Sequence, residues 1–348
     1  MTRRAVLLAA ALVLAAAGLG AGAGAAARSL TDSAGRRVEI PDSVRHVFPA
    51  GPPAAVMLYM LAPDRLLGWT RAPGRAARAF LPPRYGALPA VGRLTGRGKT
   101  VGLADLRRLA PDLVVDVGSL APPYVALAQR VTGATGIPQL LIDGRLAASP
   151  AAFRLLGAAL GMPERAAALA AYAEATLAEL RRRVARVPAA QRPLVLLARG
   201  PQGLATALDD AGNGEVLSLL GVRAIGPATS GATAAVSPGQ LGAKPPDIII
   251  ATDRRFYEAV RTDPAWAGLA AVRAGRVYLA PAEPFAWLDE PPSANRLIGL
   301  RWLAKRLYPA LFPEDLRAET RRFYALFYSR QPSPQQLDDL LAAPASPP

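Results

Sequence analysis

The stretch Glu164 to Val187, ERAAALAAYAEATLAELRRRVARV, decides how the rest of the chain is read. Leu169, Ala173, Leu177, Leu180, Val184 and Val187 recur at intervals of three or four, which lines one face of an α-helix. Arg181, Arg182 and Arg183 fall on the more polar side. Pro188 ends the run, because its ring has no amide hydrogen and clashes with the preceding turn. At 1.5 Å per residue the helix reaches roughly 36 Å, long enough to bridge two packed units and restrict their motion. A long helix lying on a single sheet is the other reading of the same pattern.

Working outward, both flanks alternate short apolar runs with helical or turn-rich sequence, the pattern of α/β lobes. On the amino-terminal side, Thr31 to Ile40 reads as a hairpin turning at Gly35. Val44 to Phe48, Arg65 to Trp69, Asp112 to Val117 and Gln139 to Ile142 read as strands, and Leu103 to Leu109 as a helix. On the carboxy-terminal side, Leu194 to Ala198, Val222 to Ile225, Asp247 to Ala251 and Val277 to Ala280 read as strands, and Glu215 to Leu220 as a helix. Leu106 to Val115 resembles Gln240 to Ile249: each is a helix end, a proline boundary and then an apolar strand. Asn295 to Leu307 and Leu316 to Phe327 are helical, and Phe323, Tyr324, Phe327 and Tyr328 form an aromatic packing stripe. The expected division is a leader (residues 1–27), an amino-terminal lobe (28–160), a bridging helix region (161–188), a carboxy-terminal lobe (189–340) and a flexible tail (341–348).

The leader carries Arg3 and Arg4, an apolar core from Ala5 to Leu19 and an Ala25-Ala26-Ala27 end, the three parts of a cleavable secretory signal. A retained amino-terminal membrane anchor is the alternative, and both place the remainder outside the cytoplasm. The net charge of +15 falls to +13 when the leader leaves, since it holds two arginines and no acid. Such a field favours anionic small molecules or acidic surfaces. The charge is scattered, without the Lys/Arg and aromatic stripe of a nucleic-acid groove, so no nucleic acid is expected. The chain has no cysteine and a single histidine, His46, which removes thiolate and multi-histidine metal sites and thiol catalysis. Gly92 to Thr100 lacks phosphate-loop spacing, because position 93, five before Gly98, is arginine.

Several runs, in order along the chain, carry a family likeness: Ala79-Phe80-Leu81-Pro82-Pro83-Arg84-Tyr85, Leu88 to Arg93, Leu109 to Val115, Arg273 to Tyr278, and Phe285 to Leu300. From about Ser33 through Leu340 the chain resembles the periplasmic substrate-binding proteins of metal-chelate ABC importers, the group that binds ferric siderophores, haem and cobalamin. The resemblance implies two Rossmann-like lobes joined by a rigid helix, a ligand cleft between them, modest closure, and delivery of cargo to a permease and its ATPase. Phe285 to Leu300 looks especially like the iron-complex branch, which favours a ferric siderophore; haem, cobalamin and other metal chelates stay open. No intrinsic cofactor is implied, since iron arrives inside its chelator, and a monomer is expected. An exported hydrolase is the rival of another class, although no Gly-x-Ser-x-Gly elbow is present.

Such a cleft draws its contacts from loops at strand ends. Trp69 and Arg71 follow one first-lobe strand, Arg93 follows the Pro89-to-Gly92 turn, Ser119 and Tyr124 follow the Asp112-to-Val117 strand, and Arg199, Trp287 and Arg296 belong to the second lobe. The aromatic rings suit an organic chelate's faces, and the guanidinium groups suit its negative charge. Asp253, Phe256, Tyr257, Asp289 and Asn295 are further candidates, with helix capping the simpler reading of Asn295. The resemblance also implies an exposed acid on each lobe for permease docking. Glu215 fills that role on the second lobe. Pro53 to Tyr59 on the first offers no acid, and Asp64 just beyond is its substitute.

Overall fold

Apolar runs bounded by turn residues become parallel strands, and the sequence between them becomes the covering helices. A computed structural model describes residues 27–96, 100–207, 214–226, 233–288 and 291–341. The leader up to residue 26, Asp289, and the tail beyond 341 lie outside the described residues.

The first lobe opens with the expected hairpin: β1 (Ala27–Thr31) pairs antiparallel with β2 (Arg37–Pro41), and Gly35 turns it at a φ of 75°. There follow β3 (Val47–Pro49), α1 (Pro52–Leu61), α2 (Arg75–Arg78), α3 (Pro83–Gly86) and α4 (Leu103–Leu109). Then come β4 (Leu113–Gly118), α5 (Pro122–Thr135), β5 (Gln139–Asp143) and α6 (Ser149–Leu160). The strands pair in parallel in the order β3-β4-β5. Arg65 to Trp69 is not the strand its apolar character suggested. It leaves a 3-10 turn, Pro63–Arg65, and makes only two single-residue parallel bridges, Val47 with Leu66 and Trp69 with Ala90. The chains approach so closely there that a Cβ on Gly68 would stand 2.5 Å from the Pro89 carbonyl oxygen.

The bridging helix is α7 (Pro163–Val184), which buries Leu169, Ala173, Leu177, Leu180 and Val184 as the periodicity requires. It lies first along α6, where a Cβ on Gly157 would meet that of Ala166 at 2.2 Å, so glycine sets the close approach. Past it come β6 (Leu194–Ala198), β7 (Ala205–Ala207), α8 (Glu215–Leu219), β8 (Arg223–Ala224) and β9 (Thr233–Ala235). Next are α9 (Pro238–Ala243), β10 (Ile248–Ala251), α10 (Arg254–Ala259), α11 (Pro264–Ala267), α12 (Ala270–Arg273) and β11 (Val277–Leu279). The second parallel sheet runs β11-β10-β6-β8, and β7 with β9 forms a small antiparallel ribbon. The chain finishes with α13 (Arg296–Leu307), α14 (Leu316–Tyr328) and α15 (Pro334–Leu341).

The result is an α/β fold of two lobes connected by helices. The lobes share apolar interior: one cluster of buried side chains runs from Val47 and Leu113 through α7 to Val195, Ile250 and Leu300. The aromatic stripe on α14 is core. Phe327 packs on Phe153 of α6 and Tyr172 of α7 at centroid distances of 5.8 and 5.3 Å, and Tyr328 stacks on Tyr59 of α1 at 6.0 Å. Residues 316–328, late in the chain, therefore pack against first-lobe elements. Among the described residues no helix is long and apolar enough to cross a membrane.

Candidate functional site

In parallel sheets every strand points its carboxyl end to the same edge, and the loops that leave this edge form the crevice where ligands settle. On the first lobe that edge carries Gly51 after β3, Ser119 after β4 and Gly144 after β5. The parallel bridges of Leu66 and Trp69 bring Arg71 and Arg93 to the same edge. On the second lobe it carries Arg199 after β6, Thr252 after β10 and the Pro281–Trp287 loop after β11.

Two contacts join these edges and frame the space between them. At one side Phe285, beyond β11, packs on Trp69 and Tyr59 of the first lobe at centroid distances of 5.4 and 6.4 Å. At the other side Glu215 and Arg296 of the second lobe hold Gly144, Leu146 and Ala147, the first-lobe segment that follows β5.

The sequence-derived candidates divide accordingly. Arg71 is exposed, and Arg93 is half-buried beside the Gly96 turn. Ser119 is exposed, with its hydroxyl accepting the Ala121 N–H at 3.2 Å. Tyr124 at the start of α5 is 37% exposed. Arg199 is half-buried, and its backbone pairs with Ala205 where β6 passes into the β7 ribbon. These five stand on the facing edges.

Trp69, Trp287 and Arg296 do not present side chains to a cleft. Trp69 is core: its indole N–H donates to the Tyr85 carbonyl at 2.8 Å, and its ring lies 5.5 Å from Tyr59. Trp287 has no solvent exposure and donates to the Tyr324 hydroxyl at 3.3 Å. The backbone of α13 lies so close to it that a Cβ on Gly299 would stand 2.0 Å from the Trp287 carbonyl oxygen. Arg296, 1% exposed, is spent on Glu215 at 3.1 Å and the Gly144 carbonyl at 2.7 Å. Glu215 is corrected as well: a buried carboxylate whose oxygens accept the Leu146 and Ala147 N–H groups at 2.6 and 2.9 Å is closed to a docking partner. Asp64 is exposed, accepts the Tyr85 hydroxyl at 2.7 Å and lies 3.6 Å from Arg84.

Among the remaining candidates, Asp253 caps α10 by accepting the Arg255 N–H at 2.8 Å, and Phe256 is buried 4.7 Å from Trp266. Tyr257 is half-buried against the second-lobe core. Asn295 does not cap α13 with its side chain; its amide oxygen accepts the Tyr328 hydroxyl. His46 is exposed beside Asp112.

Three residues are not evident as site features from sequence alone. Phe285 lies at the head of a long family-like run, although an aromatic beside Pro284 in a strand-end loop is a visible signal. Asp116 interrupts the apolar run Leu113-Val114-Val115-Asp116-Val117, itself a mark of an unusual buried acid. Its Oδ1 accepts the Thr95 hydroxyl at 3.1 Å, whereas the buried Oδ2 has no hydrogen-bond partner among the described residues. Burial pushes the Asp116 carboxyl up to about 6, against the smaller opposing pulls of Thr95 and the Val117 N–H. Glu283, half-buried in the β11 loop, is likewise raised by burial. Among the described residues no group of three or more His, Cys, Asp or Glu side chains stands close enough to hold a metal ion.

A profile described as periplasmic binding protein matches residues 96–284 of the chain. Among solved structures, the ABC transporter solute binding protein from Sulfurospirillum deleyianum DSM 6946 is 28% identical, with a TM-score of 0.83, over 90% of this chain and 98% of that one. The periplasmic solute binding protein from Veillonella parvula DSM 2008 is 22% identical, with a TM-score of 0.75, over 91% and 97%. The molybdate periplasmic binding protein MolA of Haemophilus influenzae, bound to molybdate, is 22% identical, with a TM-score of 0.71, over 88% and 99%. At these identities the last two speak for the fold alone. No curated protein matches the chain.

Proposed function

This chain belongs to the periplasmic binding protein family, and on that premise we propose that its cargo is an iron chelate, a ferric siderophore in the first instance. It is an extracytoplasmic solute-binding protein that delivers a small ligand to an ABC permease, and it carries out no catalysis. Residues 1–27 serve as its export leader, and one chain suffices to build the cleft.

The observation that carries the cargo assignment is the presence of arginines on both lobes beside the carboxyl ends of the parallel strands, Arg71 and Arg93 in the bridged first-lobe segment and Arg199 directly after β6. Ferric ion wrapped in catecholate or hydroxamate oxygens presents negative charge and flat organic faces. Guanidinium groups answer the first with directed, charge-assisted hydrogen bonds, and Tyr124 answers the second with a ring and a hydroxyl. A chain with no cysteine and a single histidine suits a metal that arrives already coordinated. Asp64 is the acid left exposed for the permease, so docking draws on the first lobe. A bare oxyanion is the second reading. The half-buried Arg93 offers a fixed charge of the right kind, and one structural relative holds molybdate.

Native mass spectrometry of the mature protein taken from its own compartment identifies retained cargo. Fluorescence titration with ferric tris-catecholate, ferric tris-hydroxamate, haem, cobalamin and molybdate then ranks the classes. Saturable binding of a ferric complex without its consumption is the expected result. Arg199→Ala or Arg93→Ala should weaken it about 10- to 100-fold, the worth of one charged hydrogen bond. Preference for molybdate, haem or cobalamin moves the assignment to that ligand, turnover of a chelate or ester overturns the binding reading, and undiminished affinity in both arginine variants removes them from the site.

A further inference from the structure

Glu215 and Arg296 sit where the two lobes meet, and their bonding is unusual in what it joins. Glu215 begins α8 and Arg296 begins α13, both second-lobe elements. Across the seam they bond backbone groups of one first-lobe segment. Glu215 accepts from the amides of Leu146 and Ala147 at 2.6 and 2.9 Å, and Arg296 donates to the Gly144 carbonyl at 2.7 Å. A direct 3.1 Å bond between the two side chains closes the ring, and Arg296 Nε anchors to the Ser293 carbonyl at 3.2 Å. Backbone partners cannot rotate away as side chains do, so the ring fixes the segment in position as well as holding it.

The held segment is tied to the carboxyl end of β4, the edge on which the proposed site lies. Gly144 packs against the end of β4 so closely that a Cβ on it would stand 2.7 Å from the Gly118 Cα and 2.9 Å from its nitrogen, and its N–H donates to the Gly118 carbonyl at 2.9 Å. Gly118 precedes Ser119 on the facing edge. A displacement of the Glu215–Arg296 ring is therefore felt both in the spacing of the lobes and in the position of the β4 loop. The opposite side of the frame, Phe285 on Trp69 and Tyr59, is apolar and non-directional, and it tolerates sliding that the ionic ring does not.

We propose that Glu215 and Arg296 are a positioning pair that sets the opening between the lobes, locking the first-lobe segment Gly144–Ala147 onto α8 and α13 so that the cleft is held near its working width before cargo arrives. Neither residue touches the cargo; they act through the loops they place. The inference goes beyond the assignment of cargo and does not depend on it.

The test needs no ligand. Because the chain has no cysteine, spin labels at Gln129→Cys on α5 and Glu258→Cys on α10, both exposed, report the distance between the lobes alone. The unsubstituted pair should give one narrow distance distribution. Glu215→Gln should broaden it and shift it by several ångströms, and Arg296→Lys, which keeps the charge but loses the fork, should lie between. A folded Glu215→Gln or Glu215→Ala protein with the original narrow distribution overturns the proposal. Should these variants fail to fold, amide exchange of the unsubstituted protein decides. Leu146 and Ala147 should exchange roughly 1000-fold or more slowly than free chain, and exchange near the free-chain rate overturns the proposal. The cargo titrations use the protein without these substitutions, so the two readings fail separately.

Discussion

Glu215 and Asp64 begin from the same local circumstance and end in opposite ones. Each is the acid in the first turn of a short helical segment, α8 for Glu215 and the 3-10 turn Pro63–Arg65 for Asp64. Each was therefore a reasonable partner-facing acid. Glu215 is buried under an arginine and two backbone amides from the other lobe, while the Asp64 side chain stays 74% exposed beside Arg84 and Tyr85. The same chemical group is an internal fastening in one place and a solvated surface charge in the other. What separates them is the chain brought opposite from far away in sequence: 69 residues separate Glu215 from Leu146.

The contrast can be broken most forcefully at Glu215. Removing Glu215 takes a carboxylate from the buried Arg296 and the acceptor from the Leu146 and Ala147 amides, so Glu215→Ala should cost about 3–5 kcal/mol in denaturant unfolding. Replacing both partners, Glu215→Ala with Arg296→Met, should cost clearly less than the sum of the two single changes. Additive costs would mean that the two side chains are not coupled.

Asp116 sharpens the comparison, being a buried acid that has the Thr95 hydroxyl for company and, among the described residues, no ion-pair partner. Its folded carboxyl titrates at about 6, above the ordinary aspartate value of 3.8. The folded state thus binds the proton more tightly than the unfolded chain. The associated stability is fully present below about pH 3.8 and is lost as pH rises through 6. Asp116→Asn removes this dependence. Each tenfold difference in proton affinity between folded and unfolded chain corresponds to about 1.4 kcal/mol. The stability of the variant relative to the unsubstituted protein should therefore improve by up to about 3 kcal/mol between about pH 4 and pH 7. A flat difference across that range would show the carboxyl to be ionised without penalty. The smallest effect belongs to Asp64: Asp64→Asn should change unfolding by less than about 1 kcal/mol, and less still in high salt.

Much of the scaffold could be read before the structure. The ends of β4, β5, β6 and β10 fall within a residue or so of the apolar runs, because a strand buried on both faces writes itself as a continuous run. The bridging helix was legible because one face is buried and the other wet. By the same physics α1 was not: Ala54 to Leu61 are all buried, so no stripe distinguishes its faces. Leu66 to Trp69 looked like a strand because its side chains are apolar, whereas its backbone finds only single bridging partners. In the site, Ser119 and Arg199 do follow the strands β4 and β6 that the apolar runs announced, whereas Arg71 and Arg93 sit in irregular chain held by single bridges. Trp69, Trp287 and Arg296 could not be assigned from type alone. An aromatic ring or a guanidinium suits a cleft wall and a seam equally, and only tertiary contact distinguishes them.

The apolar interior shared by both lobes has a practical consequence. With α7, α13 and α14 built into one cluster that reaches both sheets, the lobes are joined through buried core, although each also keeps a smaller cluster of its own. Calorimetry should record a single cooperative endotherm in place of two. A solute held anywhere between the lobes then raises the melting temperature of the entire molecule, by an amount set by its concentration relative to its Kd. Unlabelled candidate compounds can thus be ranked by heating alone, before any contact residue is known.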